Sequence, residues 1–583
     1  MKELRGILAA PGIAFGKAFV YSDDDSPSIP RYGIRDRDIE TEWERFLNAV
    51  KVAESEVSEL RDRASREMGD EHAKIFDAHL LMLSDIELFE QIRERLENLK
   101  HNIEWVVWDH SRELAQKLAS ASDQYLRERA IDIHDVSRRV LDRLLNIHKV
   151  SLADLSEDIV LVTHNLLPSE ALVMDKGHVK GIVMDMGGKT SHTAILARAF
   201  EIPAVLGLSD ATRNIENGTM VIVDGTAGLV IVDPDEASIA KYRSMTLHLQ
   251  KTTDDLLSEK DLAAVTLDGH RVAMKANIEI AEEAAHSLVY GADGIGLYRS
   301  EFLFLSPGYT ADEELQFDSY RRVVEAMAGK PVTIRTLDVG GDKIIPELQG
   351  SEEKNPLLGW RAIRFCLSRK ELFKTQLRAL LRASAFGDLR VMFPMISGLE
   401  ELETALAVFD EAKTECRAKG LAFNEKVPVG IMVEIPSAAM TADILAEKSA
   451  FFSIGTNDLV QYSIAVDRGN ERVAYLAQPF HPAVLRFIKL TIDAAHAAGI
   501  KAAMCGEMAG DPNATAVLLG LGLDEFSMSA PSIPLVKRVV RSTNLADCKQ
   551  LATQVLELRS WSAVESHVRS WMNERFPTIK SGS

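Results

Sequence analysis

Apolar segments alternate with helical segments along the last part of the chain, over about 300 residues. Eight of the apolar segments have the length and composition of strands. They are Arg271–Asn277, Gly291–Arg299, Val332–Asp338, Leu389–Met395, Val427–Ile435, Phe451–Asp458, Lys501–Glu507 and Glu525–Ser529. Strands that alternate with helices in this way are typical of a (β/α)₈ barrel, whose reactive side chains lie at the C-terminal ends of the strands. The pattern therefore predicts a C-terminal TIM-type barrel with a functional site at one end.

The first part of the chain combines strand-like runs with a long helical stretch. Strand and turn residues extend to about Ser22. From about Asp38 to Asn146, apolar residues recur every three or four positions and no proline interrupts them, which predicts an antiparallel helical bundle. Further β-type runs follow at Asp158–Thr163, Gly181–Met184, Ile202–Leu206, Met220–Val223 and Leu229–Val232. The sequence therefore predicts an α/β domain into which a helical bundle is inserted.

Changes in composition predict the divisions of a multidomain α/β protein. The α/β domain consists of residues 1–22 and 150–233, and the inserted helical domain covers residues 23–149. A charged helical linker covers residues 234–262, the barrel covers residues 263–573, and residues 574–583 form a tail.

Composition and charge exclude several classes of function. The chain has 583 residues, of which 46% are hydrophobic and 26% charged, as expected for a globular protein of several domains. The net charge of −20 argues against nucleic acid or an anionic membrane as the main partner and favours a partner with a basic face. The four cysteines lack CxxC spacing, so neither a disulfide framework nor a zinc site is indicated. Without a signal peptide or an apolar run of about 18 residues, we expect a cytoplasmic protein that does not enter the membrane.

A glycine pair precedes a histidine in Gly-Gly-Lys-Thr-Ser-His-Thr, residues 187–193. Glycine allows backbone N–H groups to approach an anion closely, and Thr190 and Ser191 are residue types that begin helices. A phosphoryl group is favoured at a helix N-terminus, so His192 is a candidate phosphate-accepting nucleophile. The alternative is an ordinary histidine in the first turn of a helix.

Polar residues also collect at the ends of the predicted barrel strands. Four arginines in this region offer planar, permanently charged groups, which indicates a small, multiply charged anion as substrate. They are Arg299, Arg335, Arg361 and Arg468. Glu434, Asn457 and Asp458 offer the oxygen ligands that Mg²⁺ prefers. Cys505 is a candidate proton donor, with a buried structural cysteine as the alternative.

Five motifs resemble those of the Enzyme I family of the bacterial phosphotransferase system, the phosphoenolpyruvate–protein phosphotransferases. They are residues 187–193, GIGLYRSEF at 294–302, DVGGDK at 338–343, NPLLGWR at 355–361 and FFSIGTNDL at 451–459. The similarity extends from Gly6 to Ser529 and so covers nearly the whole chain.

The resemblance implies a role for each candidate residue. The histidine that corresponds to His192 takes the phosphoryl group, and Cys505 protonates enolpyruvate to pyruvate. Phosphoenolpyruvate and Mg²⁺ bind at one end of the barrel. The substrate ligands are Arg299, Arg335, Arg361, Asn457, Asp458 and Arg468, and the metal ligands are Glu434 and Asp458. The first α/β domain then carries the phosphohistidine and swivels, the helical domain binds the phosphocarrier protein HPr, and the barrel forms a homodimer.

Three small departures from the usual family pattern leave the charges and metal ligands in place. Lys189 stands where arginine is usual, Ser300 where threonine is usual, and Ile435 where threonine often precedes the proline. The alternatives are a catalytically silent regulatory relative and a phosphoenolpyruvate synthase or dikinase. The second would carry an additional ATP-grasp domain, for which this chain has no room.

In the helical domain, Phe76, Leu80 and Leu83 form an apolar stripe with acidic residues beside it. The stripe predicts either a docking face for a basic partner helix or the ordinary core of the bundle.

Overall fold

The structure is a computed structural model that divides into two compact units, Met1–Gln250 and Lys251–Ser583. It describes all residues except 22–28, 69, 120–123, 148–151, 153–154, 167–169, 172–173, 188–192, 195–196, 198–199, 201, 305–311, 341–354, 469, 471 and 577–583. The side chains of residues 64–75, 119–131, 248–254 and 302 are also outside the described part.

An eight-stranded sheet forms the α/β part of the first unit. Its strands are β1 (Lys2–Arg5), β2 (Ile7–Ala10), β3 (Ile13–Tyr21), β4 (Ile159–Thr163), β5 (Val179–Met184), β6 (Ala204–Leu206), β7 (Met220–Asp224) and β8 (Leu229–Val232). The strand order is β1-β8-β7-β3-β4-β5-β6-β2; β3 to β6 pair in parallel and the other pairs are antiparallel. All residues of β4 are buried, because apolar clusters cover both faces of the sheet.

The helical bundle is inserted between two neighbouring strands, since β3 and β4 pair directly although the bundle separates them in sequence. Its described helices are α1 (Ile39–Met68), α2 (Asp70–Leu83), α3 (Ile86–Leu99), α4 (Ile103–Ala119) and α5 (Gln124–Leu144). Asp85 caps α3 by accepting hydrogen bonds from the backbone N–H groups of Glu87 and Leu88, at 2.9 and 3.3 Å. The other described α-helices of this unit are α6 (Ala211–Asn214) and α7 (Glu236–Leu257), which crosses the division between the units.

The apolar stripe of the bundle belongs to its core. Phe76 and Leu83 are 0% and 3% exposed, and Leu80 is partly buried against the same cluster. The stripe as a docking face is therefore wrong, because a side chain already packed inside the bundle has no surface to offer a partner. Among the described side chains of α2 and α3, the exposed large apolar ones are instead Leu81, Ile86 and Leu99, at 72%, 73% and 41%.

The second unit contains a closed barrel of eight parallel strands. They are β9 (Ala273–Ile278), β10 (Ile295–Arg299), β11 (Val332–Arg335), β12 (Leu389–Phe393), β13 (Val429–Val433), β14 (Phe451–Ile454), β15 (Lys501–Met504) and β16 (Glu525–Met528). The strands follow one another in chain order, and β16 closes the barrel against β9. The predicted fold class is confirmed: an α/β unit with a helical insertion precedes a TIM-type barrel.

The barrel helices are rich in the small and branched apolar residues that cover the strands. The described ones are α8 (Glu283–Val289), α9 (Glu301–Phe304), α10 (Glu313–Ala326), α11 (Ala362–Ser368), α12 (Lys370–Ala383), α13 (Leu399–Ala418), α14 (Pro436–Met440), α15 (Ala442–Ala446), α16 (Thr456–Ile464), α17 (Pro482–Ala497), α18 (Pro512–Leu521), α19 (Ile533–Arg541), α20 (Leu545–Glu557) and α21 (Trp561–Arg575). In the described part of the chain, no helix has both the length and the apolar character needed to cross a membrane.

Several strands end earlier than predicted. The segment predicted as one strand from Phe451 to Asp458 stops at Ile454, and α16 begins at Thr456. Asn457 and Asp458 therefore lie in the first turn of a helix, where short polar side chains and negative charges are favoured. The exact domain boundaries proposed from the sequence stay a prediction.

A buried cluster of charges lies at the N-terminal end of the barrel. Lys275 on β9 is paired with Glu525 on β16, and both are almost fully buried. Lys501 Nζ and Arg390 Nη1 approach Glu525 Oε1 at 3.4 and 3.9 Å. Burial opposes the charge of both partners, but Lys275 nevertheless holds the pKa of Glu525 below its usual range. Glu525 is thus the common counter-ion of this end of the barrel.

We predict that Glu525→Ala destabilises the second unit by about 3–5 kcal/mol, because it leaves the Lys275 ammonium buried without a counter-ion. Lys275→Met should cost less, since Lys501 and Arg390 remain beside the Glu525 carboxylate. Chemical denaturation of the full chain, followed at the unfolding transition of the barrel, measures both costs. Equal costs for the two variants would contradict the assignment of Glu525 as the shared partner.

Candidate active site

The predicted site residues of the barrel lie where its strands end. Arg299 and Arg335 are the last residues of β10 and β11, Glu434 follows β13, and Cys505 follows β15. Arg361 directly precedes α11, the first described helix after β11. Because the strands are parallel and the barrel is closed, their C-terminal ends lie together at one end of the barrel, which we call its mouth. The sequence placed these residues at the correct end of the fold.

Asp338 joins two of the predicted substrate ligands. Its Oδ2 lies 3.0 Å from Arg335 Nη1, and its Oδ1 lies 3.0 Å from Arg361 Nη2. The other terminal nitrogen of Arg335 is paired with Glu301 at the start of α9, and that of Arg361 donates to Tyr462 Oη at 3.0 Å. All three bridged residues, Asp338, Arg335 and Arg361, are at most 5% exposed. One buried carboxylate therefore fixes the orientation of two guanidinium groups.

Both guanidinium groups stay charged inside the protein. Burial disfavours their charged form, but the carboxylates of Glu301 and Asp338 raise the pKa of Arg335, and those of Asp338 and Asp458 raise the pKa of Arg361. The Nε atom of each arginine has no hydrogen-bond partner among the described residues. The mouth therefore holds two oriented cations, each with one buried N–H group that has no partner among the described residues.

Glu434, in contrast to the two arginines, lies where its charged form is disfavoured. It is 1% exposed, and its Oε1 accepts a hydrogen bond of 2.6 Å from the backbone N–H of Met395. Burial, and then the neighbouring carboxylates of Asp458 and Asp338, raise the pKa of Glu434 to about 8. Arg335 and Arg361 lower it only in part, because Glu301 and Asp338 already neutralise them. Without a cation beside it, Glu434 therefore keeps its proton at neutral pH, and its ionised form needs a further positive charge.

The donor set fits a divalent cation that is shared with a substrate. Two buried or half-buried carboxylates, Glu434 and Asp458, repel each other, and a cation between them would relieve that repulsion. Among the residues that the structure describes, no group of three or more His, Cys, Asp or Glu side chains could hold a metal by itself. Such a sparse protein ligand set is typical of Mg²⁺, which keeps water and substrate oxygens as its other ligands.

The backbone at this mouth takes conformations that only particular residues allow. Gly340, from the DVGGDK motif, has a φ of 104°, and a Cβ there would lie 2.5 Å from Arg361 Cβ. Ala362 and Met395 have φ of 51° and 57°, which is uncommon for residues other than glycine. Ala362 directly follows Arg361, and the backbone N–H of Met395 donates to Glu434. Strain of this kind is concentrated at functional sites.

Cys505 lies inside the mouth and is 4% exposed. Burial raises the pKa of its thiol, while a hydrogen bond from Ser453 and the charge of Arg335 lower it in part. Gly506 is needed for close packing, since a Cβ at this position would lie 1.9 Å from Thr456 Oγ1. The thiol is therefore protonated and held close to the arginines.

The remaining predicted ligands lie nearer the surface. Arg299 Nη1 donates to Glu279 Oε1 at 2.7 Å. The Asn457 amide makes two hydrogen bonds of 3.1 Å with Glu507, one to its carboxylate and one from its backbone N–H. Arg468 is exposed, and within the described residues no ion pair joins its guanidinium to the other predicted ligands.

His192, the candidate nucleophile, and residues 188–191 lie outside the described residues. The structure confirms the strand before it, since β5 ends at Met184, and Gly187 has a φ of 106°. The role of His192 stays a prediction.

Sequence reasoning missed four residues that shape the mouth. Asp338 was given no role beyond the end of a predicted strand, and Glu301, Tyr462 and Ser453 were not singled out. Three of them stand inside or next to motifs: Glu301 in GIGLYRSEF, Asp338 at the start of DVGGDK, and Ser453 in FFSIGTNDL. Each lies within a few positions of a predicted ligand, and that proximity was the available signal.

Family models match nearly the whole chain. The model described as "PEP-utilising enzyme, PEP-binding domain" matches residues 254–545. Those described as "PEP-utilising enzyme, N-terminal" and "PEP-utilising enzyme, mobile domain" match residues 5–129 and 155–228.

Curated proteins from several bacteria match over nearly their full length. The chain is 43% identical over 556 residues to the phosphoenolpyruvate-protein phosphotransferase of Staphylococcus carnosus, an alignment that covers 95% of this chain and 96% of that protein. The chain belongs to this phosphotransferase family. It is also 43% identical over 571 residues to the relative from Haemophilus influenzae and over 572 residues to that from Bacillus subtilis, in both cases over 98% of this chain and 99% of the other protein. The family model for the PEP-binding domain therefore covers the barrel whose mouth holds Arg335, Arg361 and Glu434.

We predict that Asp338→Asn destabilises the barrel of this phosphotransferase by about 3–5 kcal/mol, because both buried arginines lose their shared counter-ion. The matched control is Glu425→Gln, which breaks an exposed pair with Arg417 of 2.7 Å and should cost less than about 1 kcal/mol. Denaturant titration of both variants gives the comparison. A loss for Asp338→Asn no greater than that of the control would show that the bridge does not hold the arginines.

Proposed function

We propose that the chain transfers the phosphoryl group of phosphoenolpyruvate to its own His192 and then to a histidine of an HPr-type phosphocarrier protein, releasing pyruvate. The observation that carries this proposal is the barrel mouth, where Asp338 fixes Arg335 and Arg361 beside the uncompensated carboxylates of Glu434 and Asp458. Oriented arginines and hard oxygen ligands together suit a small phosphate-bearing anion with a divalent cation. The curated relatives bear the name of an enzyme, so the catalytically silent alternative finds no support.

The arginines of the mouth bind the substrate. Arg335 and Arg361 are pre-oriented by Asp338, and their positive charge attracts phosphate and carboxylate oxygens. Arg299 and Asn457 line the rim, and the exposed Arg468 completes the cationic set. Positioning the anion in this way also spreads the charge that develops on the transferred phosphoryl oxygens.

Glu434 and Asp458 would hold the metal, which we propose is Mg²⁺. When bound, the ion supplies positive charge that neutralises the phosphoryl oxygens during transfer. The Met395 N–H fixes one oxygen of Glu434 and leaves the other for a ligand.

Cys505 is the proposed acid of the second half of the reaction. Departure of the phosphoryl group leaves the enolate of pyruvate in the barrel, and the Cys505 thiol donates a proton to its C3. The raised pKa of this buried thiol keeps the proton on the sulfur until it is needed.

The nucleophile and the substrate site belong to different units of the chain. His192 therefore has to reach the barrel mouth to accept the phosphoryl group and leave it to meet the carrier. Neutral His192 attacks through a ring nitrogen in line with the leaving enolate oxygen.

Two protein partners complete the proposal. The acidic chain, with a net charge of −20, suits a carrier with a basic face, which would bind the helical domain. The barrel forms a homodimer. The candidate interface consists of exposed apolar side chains on α14, α15 and the segment after α16: Met440, Ile444, Tyr475 and Leu476. A cytoplasmic location stays a prediction.

We predict that wild-type chain incubated with phosphoenolpyruvate and Mg²⁺ gains one acid-labile phosphoryl group and releases an equal amount of pyruvate. His192→Ala should gain none, because no nucleophile is left to accept the group. Intact-mass spectrometry with a pyruvate assay measures both. The control is His101→Ala, which changes a histidine two residues before the bundle helix α4 that the proposal does not use. A phosphoryl adduct on His192→Ala would overturn the assignment.

We predict that Glu434→Gln weakens binding of Mg²⁺, or of Mn²⁺ as a probe, by at least about tenfold, because it removes a charged oxygen ligand. Isothermal titration calorimetry of the full chain with phosphoenolpyruvate present, with Glu434 and with Glu434→Gln in a His192→Ala background, gives the metal affinity without phosphoryl transfer. The control Glu401→Gln changes a carboxylate that accepts hydrogen bonds from Ser397 and lies outside the proposed ligand set. Equal metal affinity with Glu434 and with Glu434→Gln would remove Glu434 from the ligands.

A further inference from the structure

The thiol of Cys505 receives a hydrogen bond from a neighbouring strand. Ser453 on β14 donates its hydroxyl hydrogen to Cys505 Sγ at 3.2 Å. Both side chains are buried, at 2% and 4% exposure, so water does not compete for this contact. In the part of the chain that the structure describes, it is the only hydrogen bond of the Ser453 hydroxyl.

The thiol's own hydrogen is held weakly. The thiol donates to the carbonyl oxygen of Ile454, at 3.9 Å from Sγ, which is a long contact even for sulfur. Sγ therefore accepts a defined hydrogen bond while its hydrogen remains available for transfer. This is the arrangement that a proton donor requires.

The main chain at Cys505 is fixed independently of the thiol. Asn277 Nδ2 donates to the Cys505 carbonyl oxygen at 3.0 Å, and Ser527 Oγ donates to Asn277 Oδ1 at 2.6 Å. Removing the Ser453 hydroxyl thus leaves the position of residue 505 determined by β9 and β16. The contribution of Ser453 is confined to the sulfur atom.

We propose that Ser453 is a positioning residue for proton transfer, whose hydroxyl stabilises the thiolate that Cys505 becomes when it protonates enolpyruvate. The inference rests on the proposed function, in which Cys505 is the acid. In this step the S–H bond breaks and its electron pair stays on Sγ. The π electrons of the enolate form the new C–H bond at C3, and the thiolate afterwards recovers a proton from solvent.

The hydrogen bond gains strength as the step proceeds. A neutral thiol is a weak acceptor, whereas a bond from a hydroxyl to an anionic sulfur is charge-assisted. Arg335 and Arg299 also favour the thiolate, while burial and Glu434 oppose it. The Ser453 hydroxyl is the one neutral donor that contacts Sγ among the described residues. It therefore stabilises the thiolate that Cys505 becomes after it loses its proton.

The test is incorporation of deuterium from D₂O into C3 of pyruvate and phosphoenolpyruvate, followed by proton NMR with the full chain at equilibrium between the two. Ser453→Ala should slow incorporation by about tenfold or more, as expected when a hydrogen bond to a charged group is lost.

The control Ser449→Ala removes a buried hydroxyl of the same barrel that has no partner among the described residues, and it should change the rate less than about twofold. A second pair, Ser453→Thr and Ser453→Val, compares side chains of equal shape with and without the hydroxyl, in case the smaller alanine destabilises the barrel.

A double-mutant cycle separates this inference from the proposed function. In a Cys505→Ala background, Ser453→Ala should cause no further loss, because its effect passes through the sulfur. An equal loss in both backgrounds, or wild-type exchange by Ser453→Ala and Ser453→Val, overturns the role of Ser453 and leaves Cys505 as the acid. Wild-type exchange by Cys505→Ala alone overturns the acid assignment and this inference with it.

Discussion

A single buried carboxylate, Asp338, determines the geometry of the barrel mouth. Two guanidinium groups this deeply buried are unfavourable unless each finds a counter-charge, and Asp338 supplies one oxygen to Arg335 and the other to Arg361. The backbone is shaped to allow this contact, with Gly340 in a left-handed conformation against Arg361 and Ala362 in another immediately after it. Because the arginines are already neutralised, Glu434 and Asp458 lack full compensation. The need for a cation beside Glu434 and Asp458 thus follows from the pairing of Asp338 with both arginines.

The two ends of the barrel contain similar residues in different electrostatic states. At the N-terminal end, Lys275, Arg390 and Lys501 surround Glu525, so both oxygens of its carboxylate have cationic partners. At the C-terminal end, burial and like charges raise the pKa of Glu434, and the Nε atoms of Arg335 and Arg361 lack partners among the described residues. A closed set of charges stabilises the fold, whereas an open set is available to a ligand.

The sequence was sufficient to predict what depends on local pattern. The eight barrel strands, the inserted bundle and the placement of Arg299, Arg335, Glu434 and Cys505 all follow from periodicity and from the rule for strand ends. What it could not predict depends on contacts between distant segments. Whether Phe76 faces a partner or a core is decided by the other helices of the bundle, because a single amphipathic helix shows the same stripe in both cases. The link from Tyr462 to Arg361 likewise joins residues about a hundred positions apart, which no local motif reveals.

The separation of the chain into two units constrains where the proton chemistry takes place. In the proposed reaction the phosphoryl group leaves with His192, which belongs to the first unit, while the enolate remains with the arginines of the second. A proton donor carried by the first unit would have to depart with the phosphohistidine. The donor must therefore be built into the barrel, close to the arginines and shielded from water, so that the enolate is protonated where it is formed. Cys505 satisfies these conditions through its burial, its raised pKa and its contact with Ser453, and each of these features belongs to the barrel alone.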